Sequence, residues 1–285
     1  MTDHLQQQHT ILRPAKADGV GLHTGINVNL RLLEAEPDEG LTFIRTDLDG
    51  RPEIKVSPDT VDHQVLRRRT GLINSDGVTL ATTEHFLATC LAMGLDNARI
   101  EIDGPELPIF DGSAQPFVEL LNEAGLREQN EPRRHWRLLK PVSLISDRAE
   151  IIAVPTERME LGFFALLERA GLPNQACDFC LNNGHDYGTH IAPSRTCVFY
   201  EDVERLREAG LIRGGSLDCA IVLRDGEPMH GGYRMKNELA AHKLLDLLGD
   251  LAVLGRPIHA LITARGAGHA LNHEFIQALR KELTE

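Results

Sequence analysis

The chain has 285 residues, enough for two ordinary domains or one large one. Its 42% hydrophobic and 25% charged residues are typical of a soluble globular protein and exclude a disordered chain. The formal net charge is −12 and no block is rich in Lys or Arg, which argues against a general nucleic-acid surface.

The termini and the cysteines indicate the compartment. The first ten residues, MTDHLQQQHT, lack the basic region and apolar core of a secretory signal. No apolar run reaches the roughly 20 residues that a membrane span needs. The five cysteines are scattered and odd in number, as expected for reduced thiols. We therefore expect a cytoplasmic protein without a transmembrane segment.

The first half of the chain predicts alternating strands and helices. INVNLRLLE (26–34), LTFIRTD (41–47) and ARIEIDG (98–104) alternate like strands. TTEHFLATCLAMGLDN (82–97) predicts a helix that Thr82 or Thr83 caps and that stops near Gly94. FVELLNEAGL (117–126) predicts a second helix.

The second half repeats this order after a polar, aperiodic stretch. REQNEPRRH (127–135) is the best candidate for a linker, and the runs VSLIS, EIIAV and LGFFAL that follow predict strands. Residues 241–266 then repeat the order of 84–104: a His near a helix start, an apolar helix, a Gly-containing stop and a strand. This similarity predicts an α+β protein with two similar domains, 1–128 and 134–285.

The helix AAHKLLDLLGDL (240–251) carries four charged or titratable residues. His242 and Asp246 lie one turn apart on one face, and Asp250 continues that line. Such a pair can supply two corners of a metal site, although by itself it is more often a solvated or core-edge pair. His85 is a candidate third ligand, and a carboxylate beside a ligand, here Glu84, can serve as a general base.

Glycine-rich stretches supply the remaining candidates. DGVGLHTG (18–25), LPIFDGSAQPF (107–117), RGGSLDCA (213–220) and RGAGHALN (265–272) predict loops that approach a ligand closely. His269 follows a predicted strand in the last of them, where a histidine without a partner is more often a surface residue than a catalytic acid. Asp250 is available to orient it and to keep it protonated.

Seven ordered stretches between residues 19 and 272 resemble the UDP-3-O-acyl-N-acetylglucosamine deacetylase family of lipid A synthesis. They are GVGLHTG, TTEHFLA, GLDNARIEIDGPELPIFDGSAQPF, SRT, GGSLDCAIV, AHKLLDLLGDL and AGHALN. The resemblance implies two α/β sandwich domains whose helices pack against each other at the domain interface. It implies zinc-dependent hydrolysis of the N-acetyl group of the UDP-linked sugar to a free amine and acetate. The alternative is a paralogue of the same fold that binds or deacylates a different acylated amino sugar.

The resemblance also implies roles for individual residues. His85, His242 and Asp246 would bind Zn²⁺, a ligand set that also accepts Fe²⁺. Glu84 would be the general base, and His269, held by Asp250, the electrophile or general acid. Either of these two could protonate the leaving amine. Thr196 would stabilise the oxyanion, and Lys243 would bind the nucleotide diphosphate. Further expected substrate contacts are His23, Cys197, Gly214 and Ser216. We expect a monomer that makes at most transient contact with a membrane surface.

Three stretches depart from the family pattern. Cys197 stands where an aromatic residue commonly contacts the sugar. LRRRTGL (66–72) is unusually basic and either helps to hold phosphates or is an exposed charge run. The segment between LGFFAL and SRT, where the family builds its acyl-chain passage, is barely matched, so the preferred acyl length stays open.

That segment contains a spacing typical of a zinc knuckle: Cys177, Cys180, His185 and His190. The simpler interpretation is a strand, CDFCL, followed by a loop that carries the two histidines.

Overall fold

The computed structural model describes residues 6–66, 68–168, 171–181 and 184–285, and at positions 184 and 185 it describes the backbone alone. The strands are β1 (Gln7–Ile11), β2 (Ala15–Val20), β3 (Asn27–Glu34), β4 (Leu41–Arg45), β5 (Glu53–Lys55), β6 (Leu72–Ile73), β7 (Thr79–Leu80), β8 (Ala98–Ile102), β9 (Leu126–Pro132), β10 (Trp136–Leu138), β11 (Val142–Ile145), β12 (Glu150–Pro155), β13 (Glu160–Ala165), β14 (Gln175–Cys180), β15 (Cys197–Phe199), β16 (Ile221–Arg224), β17 (Glu227–Pro228), β18 (Ile258–Arg265) and β19 (Leu283–Thr284). The α-helices are α1 (Glu84–Met93), α2 (Gln115–Ala124), α3 (Gly184–His190), α4 (Tyr200–Glu208), α5 (Glu238–Leu251) and α6 (His269–Leu279). Short 3-10 turns span Pro58–Thr60, Ala252–Leu254 and Arg280–Glu282.

The N-terminal half is built on a five-stranded sheet in the order β2-β3-β8-β4-β5. β8 is antiparallel to β3 and parallel to β4. Its residues alternate between buried and half-buried, so one face of the sheet faces the core. The three predicted strands of this half are confirmed, and two of them end two residues earlier than expected.

The C-terminal half is built around β18. This strand is antiparallel to β12 and parallel to β10 and β13. β11 and β14 extend the sheet beyond β12 and β13. The predicted strands VSLIS, EIIAV and LGFFAL are the strands β11, β12 and β13.

Helices α1 and α5 join the two halves. Nine of the ten residues of α1 are buried, as are thirteen of the fourteen residues of α5. One hydrophobic cluster runs from Phe43 in the first sheet through Phe86 and Leu244 to Ile262 in the second. A helix buried on all sides belongs to the interior of a protein, so a solvated face on α5 is excluded. The predicted α+β fold, with helices packed between two similar halves, is confirmed.

The stretch 127–135 is not the irregular linker that its polarity predicted. Residues Leu126–Pro132 form β9, which pairs antiparallel with β1. Gln129 accepts a hydrogen bond from Asn97 and donates one to the carbonyl of Ala35. Because its polar side chains are paired in this way, the strand needs no apolar periodicity. The two large sheets fall wholly within 1–128 and 134–285, and this division into domains stays a proposal.

Two local predictions need correction. Thr83 is the N-cap residue of α1, but its hydroxyl donates to the carbonyl of Thr70 rather than to a free amide of the first turn. His269 is the first residue of α6 rather than part of a loop. Gly94 ends α1 with a φ of 83°, as predicted. None of the helices in the described part of the chain combines the length and apolar character that a membrane crossing requires.

Candidate metal centre

The crossing of α1 and α5 determines which side chains meet. A Cβ atom added to Gly249 would lie 2.1 Å from the carbonyl oxygen of Glu84, so only glycine permits this close approach. The crossing brings the first turn of α1, with Glu84 and His85, against the middle of α5, with His242 and Asp246.

His85, His242 and Asp246 form a compact, buried group with one potential ligand atom each, all within 4.8 Å of one another. Asp246 Oδ1 lies 3.8 Å from His85 Nε2 and 3.4 Å from His242 Nε2. In the described parts of the chain, nothing donates a hydrogen bond to this buried oxygen. Two imidazole nitrogens and an unpaired carboxylate oxygen that converge in this way fit a divalent metal ion.

The protonation states also suit metal binding. Burial, with the neighbouring His242, lowers the pKa of His85 to about 3. Burial also lowers the pKa of His242, whose Nδ1 donates to the carbonyl of Ser194 at 3.0 Å, so that Nε2 is free as a ligand. Burial alone would raise the pKa of Asp246, but Lys243 and the imidazoles hold it well below its ordinary value. The group therefore consists of neutral imidazoles and a carboxylate, the forms that bind metal.

Glu84 lies beside this group and is buried. Its Oε2 accepts a hydrogen bond from the backbone amide of Thr70 at 3.0 Å. Burial raises the pKa of Glu84 to about 7, and the positive charge of His269 opposes that rise. A carboxylate with a pKa near neutrality is suited to accept a proton.

His269 and Asp250 form the predicted pair. His269 Nδ1 donates to Asp250 Oδ2 at 2.9 Å, which leaves Nε2 facing Glu84 Oε1 at 4.0 Å. Burial alone would lower the pKa of His269, but the charge of Asp250 raises it to about 9. His269 is therefore a cation at neutral pH. Asp250 is fully buried and also accepts a hydrogen bond from Asn272 at 2.7 Å.

A cavity of about 170 Å³, here called the central cavity, opens onto these groups. His85, His242 and Asp246, here called the metal group, line it. Glu84, Thr196, Lys243 and His269 line it as well. His23 and Cys197 lie in its wall as well. Lys243 Nζ donates to Asp246 Oδ2 at 2.7 Å, so the Lys243 ammonium is paired with the carboxylate of the metal group.

An apolar cavity of about 330 Å³ shares His23, Thr196 and Cys197 with the central cavity. Its apolar wall is formed by Val198, Val203, Leu206, Ile212, Ala220 and Val222. None of the described residues of the segment 166–193, where the resemblance to the family places the acyl passage, is among the residues that line this cavity. The strands β15 and β16 and helix α4, which follow SRT, build it instead.

The other predicted contacts are divided between the two cavities. Ser216 lines the apolar cavity. Gly214 lines neither cavity. Its amide donates to the carbonyl of Leu22, and a Cβ atom on Gly214 would lie 2.4 Å from the carbonyl oxygen of Gly21. Arg68, within the basic stretch 66–72, is exposed and lines both cavities, whereas position 67 lies outside the described residues.

The described members of the predicted zinc knuckle do not form a second metal group. Within the ranges described above, the group at α1 and α5 is the one that could hold a metal. Cys177 and Cys180 lie on β14, and burial raises the pKa of the Cys177 thiol to about 11. His190 ends α3 and contacts Thr189 and Asp186 of its own helix, and the side chain at position 185 lies outside the described residues.

Sequence reasoning missed Thr70, Asn272 and His273. Thr70 was hidden in a stretch singled out for its arginines. Asn272 and His273 lie three and four positions after His269, a helical spacing that places them near one another. That spacing was a usable indication of a larger polar network.

Comparison with known proteins agrees with this geometry. A family model described as UDP-3-O-acyl N-acetylglycosamine deacetylase matches residues 8–281. The UDP-3-O-acyl-N-acetylglucosamine deacetylase of Phenylobacterium zucineum is 40% identical over 275 residues, covering 95% of this chain and 92% of that protein. The Myxococcus xanthus protein of the same name is 37% identical over 276 residues, covering 96% of this chain and 87% of its own. The Histophilus somni protein of that name is 37% identical over 275 residues, covering 96% and 90%. This chain therefore belongs to the UDP-3-O-acyl N-acetylglycosamine deacetylase family.

Proposed function

We propose that the chain is a zinc-dependent amidohydrolase of lipid A synthesis. It removes the N-acetyl group of UDP-3-O-acyl-N-acetylglucosamine and leaves a free amine and acetate. Membership of the family supports this substrate. The observation that carries the proposal is that a metal group, a buried carboxylate and a histidine cation converge in one cavity that adjoins an apolar one.

His85, His242 and Asp246 would hold the metal. Two nitrogens and one oxygen are a common set in catalytic zinc sites, which keep a further position open, and the same set accepts Fe²⁺. A bound zinc ion would polarise the amide carbonyl and lower the pKa of a water molecule.

Glu84 would accept a proton from the attacking water. Its pKa of about 7 leaves a substantial fraction ionised at neutral pH. The amide of Thr70 fixes one of its oxygens and leaves the other on the side of His269.

His269 would stabilise the negative charge that develops on the carbonyl oxygen. Its pKa of about 9 keeps it protonated, and Asp250 fixes its Nδ1, so that Nε2–H is the donor toward the cavity. The Thr196 hydroxyl would add a second donor. Once Glu84 has taken the proton from water, both it and His269 carry a proton that the leaving nitrogen could accept.

The two cavities would divide the substrate between them. The 3-O-acyl chain would occupy the apolar cavity, where each buried methylene stabilises the complex by about 0.8 kcal/mol. His23, Cys197 and Ser216 would contact the sugar end of that chain, and Gly214 would act through the loop it positions. Lys243 would bind the diphosphate.

The five free cysteines support a reducing, cytoplasmic compartment. We further propose that the enzyme acts as a monomer and touches a membrane surface only transiently.

Acetate release from the UDP-linked acylated sugar tests the proposal. The wild-type protein should release acetate, lose this activity after exhaustive chelation, and regain it on addition of zinc. Activity that persists in metal-free protein would contradict the metal-dependent mechanism. Tight binding of the sugar without acetate release would contradict the proposed reaction.

A further inference from the structure

Thr70 is fully buried at the junction of the two halves. Its backbone is attached to the start of α1: its amide donates to Glu84 Oε2 at 3.0 Å, and its carbonyl accepts from the amide of Thr83 at 3.0 Å. These bonds fix the residue to the N-terminal half and to the carboxylate of the proposed base.

The side chain of Thr70 points to the other half. Its hydroxyl donates to Asp250 Oδ1 on α5 and lies 3.0 Å from His273 Nε2 on α6. Since the single hydroxyl proton goes to Asp250, the hydroxyl oxygen accepts from His273 Nε2–H. One residue thus contacts the carboxylate of Glu84 and the support of His269 at the same time.

The hydroxyl also separates two histidines that compete for one carboxylate. His269 Nδ1 already donates to Asp250, while His273 Nε2 stands 3.4 Å from Asp250 Oδ1. Across the described structure, His273 Nδ1 has no hydrogen-bond partner. The hydrogen bond from Nε2 to Thr70 therefore orients the His273 ring beside Asp250, and in the described structure no hydrogen bond at Nδ1 helps to fix it.

We propose that Thr70 is a positioning residue that holds Glu84 and the Asp250–His269 pair in one arrangement and keeps His273 from taking Asp250. This inference rests on the proposed function of the site. Without the hydroxyl, His273 Nε2–H would lose its acceptor while buried, and the nearest replacement is Asp250 Oδ1. Asp250 would then turn toward His273, and His269 would lose its fixed orientation.

Thr70→Val and Thr70→Ser isolate the hydroxyl. Valine keeps the shape of threonine and removes the hydroxyl, whereas serine keeps the hydroxyl. The control is Thr10→Val, which removes another buried hydroxyl that accepts from the amide of Ala35 at 3.0 Å, outside both cavities.

We expect kcat of Thr70→Val to fall by about 10- to 100-fold, part of the usual contribution of a positioned acid or base. KM and the metal content should stay within about twofold of wild type, because the metal group and the two cavities keep their lining. Thr70→Ser should recover kcat to within about threefold of wild type. Equal losses in the Val and Ser variants, or a Val variant as active as Thr10→Val, would overturn the inference.

Imidazole ¹⁵N resonances provide a test that does not need turnover. In Thr70→Val the nitrogens of His269 and His273 should both shift, whereas in Thr70→Ser they should keep their wild-type positions. Unchanged resonances in Thr70→Val would overturn the inference. A wild-type protein that releases no acetate would refute the proposed function instead, and the resonances would still decide the role of Thr70.

Discussion

Replacing Asp250 by Asn should convert His269 from a cation to a neutral imidazole at neutral pH. Asp250 is fully buried, and its charge is the main influence that raises the pKa of His269, while burial acts in the opposite direction. Asparagine keeps the size of the side chain but removes that charge. Burial is then opposed by the charges of Asp246 and Glu84 alone, so the pKa of His269 should fall from about 9 toward its ordinary value of about 6.5.

The expected loss follows from these values. At pH 7.5 a group with a pKa of about 9 is about 97% protonated, whereas one with a pKa of about 6.5 is about 9% protonated. Protonation alone therefore lowers kcat about tenfold. Asparagine can also present its amide to His269 and favour the wrong tautomer, which extends the total loss to about 10²- to 10⁴-fold.

The assay is the pH dependence of acetate release. In wild type the acidic limb should lie at or below about 7, set by Glu84, and the basic limb near 9, set by His269. In Asp250→Asn the basic limb should move to the acidic side, because the protonated form of His269 is lost at lower pH. Asp96→Asn, which removes a partly buried carboxylate paired with Arg133, is the control. A basic limb that stays near 9 in Asp250→Asn would refute the reasoning.

Three further changes test the packing, the apolar cavity and the metal count. Gly249→Ala should lower the free energy of unfolding by about 2 kcal/mol or more in urea denaturation, because its Cβ would meet the backbone of α1. A gain of about 1 kcal/mol, as expected from helix propensity alone, would show that α1 and α5 cross less closely than the structure shows. Ala220→Phe should raise KM about tenfold for a long-acyl substrate by displacing about two methylenes, and a short-acyl substrate should change less than about threefold. Equal effects on the two substrates would place the acyl chain elsewhere. The double variant Cys177→Ser/Cys180→Ser should hold one metal ion per chain by elemental analysis, as wild type does. A metal content that falls from two ions per chain in wild type to one in the variant would show that these cysteines bind a second ion.

Regular spacing grouped several candidate site residues, and the resemblance to the family then assigned their roles. His242, Asp246 and Asp250 follow the helical repeat, so a single helix assignment places them along one line of the helix, whereas Glu84 and His85 are simply adjacent at the start of the other helix. The order of helix, stop and strand, shared by the two halves, indicated that α1 and α5 are equivalent. The α+β fold and the facing helices followed from that equivalence.

The rest depends on contacts between segments that are distant in the chain. Thr70 meets Asp250 across 180 residues, and no local pattern marks that contact. The strand β9 was missed because it is stabilised by side-chain amides and by pairing with β1 rather than by an apolar face. The apolar cavity could not be placed from the sequence because cavities form between elements, and sequence similarity alone does not reveal which elements line them.

Glu84→Gln tests the central claim most directly, when metal content and turnover are measured on the same preparation. Glu84 lies outside the metal group, so the variant should keep about one metal ion per chain, as in wild type. Its rate of acetate release should fall by about 10²- to 10⁴-fold, since the amide cannot accept a proton from water. A variant that keeps its metal and hydrolyses the substrate at the wild-type rate would contradict the account, and so would one that is inactive because it has lost the metal.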